Sequence, residues 1–271
     1  MNDLPWLLRD MSTAALAFAA GVLSGSFSMG GQVLMKPGIR LLGASPLEAV
    51  GTTVPMILPT VAAATFGYHK QGLVDWTVVR WAAPGGVLGA IVGSLLAPRI
   101  PGGGHLLQIA TAGLMLLASL KMLSNGRRVT EHDPSQPRGA FDPAARRAAP
   151  AGFVAVGSAS GVLAGLLGIG GGVLMVPGFS QLLSMPLITA IATSLVCAGI
   201  FAVPATITHS LIGTIEWRFA LLLIAGAVPG ARLGAHLAMR ASDSRLEKAV
   251  GVMVTIIAVI YGVGEIVALT T

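Results

Sequence analysis

The sequence predicts an all-α protein: a polytopic transmembrane helical bundle of two homologous repeats, with broken or re-entrant helices after two glycine runs. Three observations predict it. The 271 residues are 54% hydrophobic and only 10% charged, with a mean hydropathy of +0.80, whereas soluble domains carry about 25% charged residues. The apolar residues form continuous runs near the length that spans a bilayer as a helix, without the alternation of barrel strands. The stretch "GVLSGSFSMGGQVLMKPG" (Gly21–Gly38) returns as "GVLAGLLGIGGGVLMVPG" (Gly161–Gly178), identical at eleven of eighteen positions and offset by 140 residues.

The elements follow in order. Apolar segments fall at 12–29, 47–66, 78–98 and 106–123, then at 150–168, 187–207, 218–239 and 246–269; shorter pieces at 33–43 and 173–184 follow the glycine clusters. The first stretch does not read as a cleaved signal, because Asp3 and Asp10 outnumber Arg9 in its leader and its apolar core runs straight into the repeated motif. Ser45-Pro46-Leu47-Glu48 reads as a capping box with proline at the first helical position, and Ser244 to Glu247 as another for the last helix. Asp75 and Glu216, each before a tryptophan, fit helix starts at the membrane interface. The chain thus divides into a first transmembrane repeat (1–123), a polar basic loop (124–149) and a second transmembrane repeat (150–271).

The repeat extends beyond the opening motif. Pro46 and Pro186, Thr53 and Thr193, and His69 and His209 keep the offset of 140. One inserted residue later, Val74–Trp76 matches Ile215–Trp217, and Gly85–Gly93 matches Gly226–Gly234. Duplicated halves with interruptions at corresponding places are the pattern of secondary transporters. Four crossings per repeat leave the halves parallel; an extra crossing or re-entrant piece at each break inverts them, and the inverted arrangement is expected.

Lys121, Arg127, Arg128, Arg138, Arg146 and Arg147 make the central loop the most basic. Positive charge marks the cytoplasmic side. Its polar, proline-containing, aperiodic composition predicts a mobile loop dispensable for the fold. Positive charge is concentrated in this one loop, so the net charge of +6 does not argue for a nucleic-acid partner. A single cysteine, Cys197, excludes a disulfide framework and a paired-cysteine zinc site. No carboxylate pair, nucleophile–base pair, phosphate loop or metal cluster stands out. No enzyme, cofactor or metal is therefore expected.

In hydrocarbon, non-helical backbone is tolerated only where protein or a water-filled cavity satisfies its polar groups. Gly30, Gly31 and Gln32 in the first half, and Gly170, Gly171 and Gly172 in the second, read as helix breaks. The helices restarting after them would offer N–H groups to an anion; tight helix packing is the competing role for these glycines. Lys36 enters only the first copy, against Val176, and either adds a fixed cation to a cavity or snorkels to the interface. Arg232, flanked by glycines, has the planar fork that suits an oxyanion. Thr52, Thr53, Thr193 and Ser194 occupy matched places, where their hydroxyls donate to an anion or bond back to the preceding turn. His69 and His209 lie near helix ends, as solvated or capping residues or as a proton-coupling pair.

"GLLGIGGGVLMVPG" (Gly165–Gly178), the A-x-x-T-S run at Ala190–Ser194, the loop from His209 to "IEW" and "GARLG" (Gly230–Gly234) carry a resemblance. Over nearly the whole chain outside the central loop, the sequence resembles the TauE/SafE sulfite-exporter family of membrane proteins. The first half departs from the pattern, with Ser28 and Gln32 in place of glycines and Lys36 added. The resemblance implies movement of sulfite, sulfonates and related small organic anions. The expectation is a multi-pass secondary transporter of the cell (inner) membrane that exports sulfite or a small organosulfonate. Its partners are the small anionic substrate and the lipid bilayer; a coupling H+ or Na+ and a homo-oligomer are left open. The rival readings are a carrier or channel for another anion, such as a short carboxylate, and a membrane scaffold subunit that transports nothing.

Overall fold

The computed structural model describes residues 6–28, 35, 46–96, 113, 116, 117, 120, 139, 141, 142, 149–167, 171–213 and 215–270. Among them every regular element is helical. These are α1 (Trp6–Phe27), α2 (Pro46–Lys70), α3 (Trp76–Leu96), α4 (Pro150–Leu167), α5 (Gly172–Pro177), a π-helical turn (Gly178–Leu182), α6 (Leu187–Ile212), α7 (Trp217–Arg240) and α8 (Asp243–Thr270). Leu187–Ile207 and Trp217–Arg240 are each long and apolar enough to cross a bilayer, since about 20 residues at 1.5 Å each cover the hydrocarbon thickness. Large apolar side chains such as Phe66, Leu88, Leu95 and Leu221 are exposed, as lipid-facing positions require.

The starts of these helices are written locally. Proline opens α2 and α4, where its missing N–H costs nothing. Asp75 caps α3: one carboxylate oxygen accepts the N–H groups of Thr77 and Val78 at 3.0 and 3.2 Å. The last helix starts at Asp243, one residue before the capping box expected from Ser244, because the Ser242 carbonyl already accepts the Leu246 N–H at 2.9 Å. Ser45 and residues 29–34 and 36–45 lie outside the described residues.

Glycine decides which helices touch. A Cβ on Gly21 or Gly25 of α1 would strike the backbone carbonyl of Ala227 or Ala231 of α7. From the other side, Gly226, Gly230 and Gly234 of α7 meet the carbonyls of Ala14, Phe18 and Val22 of α1. Both series rise together, so α1 and α7 run parallel with their backbones in contact. The same holds for α3 and α4: Gly89 meets Ser158, while Gly157 and Gly161 meet Ala82 and Gly86. Each tight pair therefore joins the first helix of one half to a later helix of the other. The Ser26 hydroxyl locks the first pair further by donating to the Gly234 carbonyl at 3.0 Å, and the Tyr68 hydroxyl of α2 donates to the Gly25 carbonyl of α1 at 2.7 Å. These bonds satisfy carbonyls near helix ends or in tight contacts, as a lipid surround demands.

At the centre, α2 and α6 pack against each other, with Val61 against Gly199. The start of α2 lies by the start of α7, and the end of α2 by the start of α6, as the bonds Thr52–Glu216 and Thr193–Asp75 show. Hence α1, α2 and α7 run one way, and α3, α4 and α6 run the other.

Two expectations change. First, the halves match at an offset of 141 from α2 onward. Thr52 pairs with Thr193, Asp75 with Glu216, and the positive-φ glycine Gly72 (69°) with Gly213 (75°). The inserted residue therefore precedes Thr193 and does not follow His209. The interval that must contain it includes the π-helical turn Gly178–Leu182, and a π turn is how a helix accommodates one extra residue. On this register His69 corresponds to Ser210, and Tyr68 to His209.

Second, the central loop is partly built into the bundle. Phe141 is buried and lies edge-on to Phe153, which lies edge-on to Phe179 (ring centroids 6.2 and 6.0 Å apart). The Gly139 carbonyl accepts the Thr189 hydroxyl at 2.7 Å. A polar loop containing a single aromatic residue had a reason to dock that an average over its composition conceals.

Phe141→Ala should destabilise the protein by about 3 kcal/mol, the usual cost of deleting a buried phenyl ring. An unfolding midpoint in detergent equal to wild type would show that the loop is dispensable. Gly230→Leu should abolish recovery of monodisperse protein, because the side chain would need the space of the α1 backbone. The exposed Leu233→Ala should leave recovery unchanged.

Candidate functional site

Thr52 and Thr193 are fully buried. Thr52 Oγ1 accepts the backbone N–H of Glu216 at 3.0 Å, and Thr193 Oγ1 accepts that of Asp75 at 3.1 Å. Each threonine thus holds the start of a helix in the opposite half. Because α2 and α6 are antiparallel and meet at Val61 and Gly199, the two tethers lie on opposite sides of the crossing, about 20 Å apart along the axes at 1.5 Å per residue. They do not share one central site.

The second glycine run does form a meeting point of both halves. α4 ends at Leu167 and α5 begins at Gly172. Gly171 packs under the Phe201 ring, where a Cβ would come within 3.1 Å, and beside the Ser160 carbonyl at 3.3 Å. The same ring occupies the place a Cβ on Gly86 would need. A Cβ on Gly172 would overlap the Ser28 carbonyl and stand 2.9 Å from the Ser28 hydroxyl oxygen. Here glycine is a requirement of close approach. Ser28 terminates α1 with φ 56°, a left-handed conformation that costs a residue with a Cβ about 1–2 kcal/mol. Ser28 Oγ and Ser160 Oγ are both buried without a hydrogen-bond partner.

The remaining candidates are dispersed. Gly30, Gly31, Gln32, Lys36 and Gly170 lie outside the described residues. Thr53 is buried beside Thr52. Ser194 donates back to the Ile191 carbonyl at 3.0 Å. Arg232 is exposed; its flanking Gly230 and Gly234 face α1, which at 100° per residue turns position 232 away from that contact. It also lies sixteen residues from Glu216, about 24 Å along α7. His69 is exposed at the end of α2, edge-on to Trp76 with ring centroids 5.7 Å apart. The His209 side chain is outside the described residues.

The motif signals only partly revealed this junction. Ser28 stands out as a serine where the second copy has Gly168, and Ser160 as a serine where the first has Ala20. Its chemistry is hydroxyl and backbone; among the described residues no cluster of His, Cys, Asp and Glu could hold a metal ion.

Two interlocked helical sets of opposite direction in an apolar bundle fit a membrane protein of the transporter class. The chain belongs to the sulfite exporter TauE/SafE family, which matches residues 13–261. It is 31% identical over 252 residues to a probable membrane transporter protein of Xylella fastidiosa (strain 9a5c), covering 92% of this chain and 91% of that one. It is 27% identical over 240 residues to the probable membrane transporter protein YunE of Bacillus subtilis (strain 168), covering 82% and 86%. No solved structure matches. The protein is accordingly a membrane transporter and not an enzyme.

Thr193→Val should destabilise the fold by about 1–3 kcal/mol, because it leaves the Asp75 N–H without its acceptor. Thr193→Ser should restore most of the loss. Equal melting of the valine and serine variants would remove the tether from the account.

Proposed function

We propose that this protein is a secondary transporter of small oxyanions, with sulfite or a small organosulfonate as substrate and export as its direction. The observation that carries the reading is the pair of reciprocal threonine tethers, each joining the opposite half at opposite ends of antiparallel helices. Halves related in this way act as inverted repeats, and rocking one against the other exposes a site between them alternately to each face. The substrate class comes from the family, whose name describes sulfite exporters. It agrees with the two buried, unpartnered hydroxyls of Ser28 and Ser160 at the glycine junction.

The protein lies in the cell inner membrane as a multi-pass protein. Its basic loop docks through Gly139 and Phe141 at the end of the bundle that holds Leu73 and Thr189, and positive charge places that end in the cytoplasm. Thr193 then tethers the cytoplasmic side and Thr52 the outer side. Lys36, Arg232 and the first glycine run belong to this proposal as further anion contacts along the path.

Sulfite or methanesulfonate should raise the melting temperature of the purified protein more than chloride at equal ionic strength, because binding to the folded state alone stabilises it, by about 2.7 kcal/mol at a hundredfold excess over Kd. Liposomes holding the protein should release entrapped sulfite faster than empty ones. A larger shift with acetate would reassign the substrate to carboxylates. No selective shift and no efflux would leave the scaffold reading.

A further inference from the structure

We propose that Ser28 is a substrate-binding residue, whose hydroxyl donates a hydrogen bond to the oxyanion at the glycine junction. The proposal rests on the transport reading above and deepens it.

Three independent observations converge on this side chain. The backbone of Ser28 is left-handed, with φ 56°. Helices often end this way, but usually on glycine, which has no Cβ to strain. The second half has Gly168 at the matching place. A serine here retains a less favourable backbone, so its side chain must serve something that glycine cannot.

Ser28 is 1% exposed, and its buried hydroxyl has no partner. Among the described residues Thr65, Ser160 and Ser180 also bury an unpartnered hydroxyl, while several others in the bundle are satisfied. Thr60, Thr206 and Thr255 bond back to the preceding turn at 2.6, 2.8 and 2.9 Å. Ser26, two residues earlier, reaches across to Gly234. Ser28 Oγ makes no such bond. Ser184 has a similar φ of 53° but is exposed, so its hydroxyl is not buried. A buried hydroxyl without a partner costs free energy unless a ligand or water completes it.

The hydroxyl also points at the right place. Its oxygen stands 2.9 Å from where a Gly172 side chain would begin. It therefore covers the first residue of α5, beside the Gly171 backbone that packs against Ser160 and Phe201. Ser160 Oγ, the other buried hydroxyl at this junction, is likewise unpartnered. One hydroxyl comes from each half, and neither exists at the matching position of the other half. The first half thus supplies a donor to the broken helix of the second, so that substrate bridges the two halves that must rock.

The test compares wild type with Ser28→Gly and Ser28→Ala in sulfite titrations of thermal stability, with methanesulfonate and sodium gluconate as companion titrations. Glycine relieves the left-handed strain, so Ser28→Gly without anion should melt at or above the wild-type temperature. It should nevertheless need about tenfold more sulfite for half its shift, the effect of losing one hydrogen bond to a charged group. Ser28→Ala should show the same loss of affinity without the gain in stability. Wild-type half-saturation in both variants would overturn the role of Ser28 while leaving the transport reading intact. A lower melting temperature of anion-free Ser28→Gly would make the hydroxyl structural and overturn the proposal too. A loss of sodium-dependent stabilisation with unchanged sulfite affinity would assign the hydroxyl to a cation instead. A wild-type protein that sulfite does not stabilise would remove the anion site and the role of Ser28 together.

Discussion

The fold depends on the contact of helix backbones through glycine. In lipid, side chains gain little by leaving one apolar surround for another, so helices associate where small residues let them approach closely. Gly21 and Gly25 against Ala227 and Ala231, with Gly157 and Gly161 against Ala82 and Gly86, make that contact twice. Both contacts join one half to the other. Neither repeat is a separate body, and each takes part of its packing surface from its counterpart.

That interlocking explains the hydrogen bonds that cross between halves. A threonine hydroxyl buried in one half is fixed by packing, while the N–H at the start of a helix in the other has no partner within its own helix. Thr52 with Glu216 and Thr193 with Asp75 meet this need in the same way at both ends. Because the bonds are equivalent and lie far apart, weakening one need not weaken the other.

The two halves are not identical, and their differences gather near the glycine junction and the end of the bundle that the central loop covers. Ser28 and Ser160 place hydroxyls where the matching positions have Gly168 and Ala20. Phe141 docks on Phe153, which in turn meets Phe179 in the π turn beyond α5. The framework is duplicated, while these hydroxyls and the aromatic dock break its symmetry.

The membrane class, helical character and duplication were legible in the sequence because they are written in composition, run length and a repeated motif, all local properties. Asp75 as the start of α3 and Pro46 as the start of α2 were equally local, since a cap acts over three or four residues. The place of the inserted residue was not, because a single insertion leaves little trace in an apolar helix until hydrogen bonds reveal the true partners. The roles of Gly230 and Gly234 were also hidden: glycine permits an approach without naming the neighbour, which proved to be α1 and not a partner for Arg232. Nor could composition show that Phe141 is buried, or that Ser28 is left-handed and unpartnered. Those facts depend on which distant backbone fills the space beside each residue, and only the packed bundle decides that.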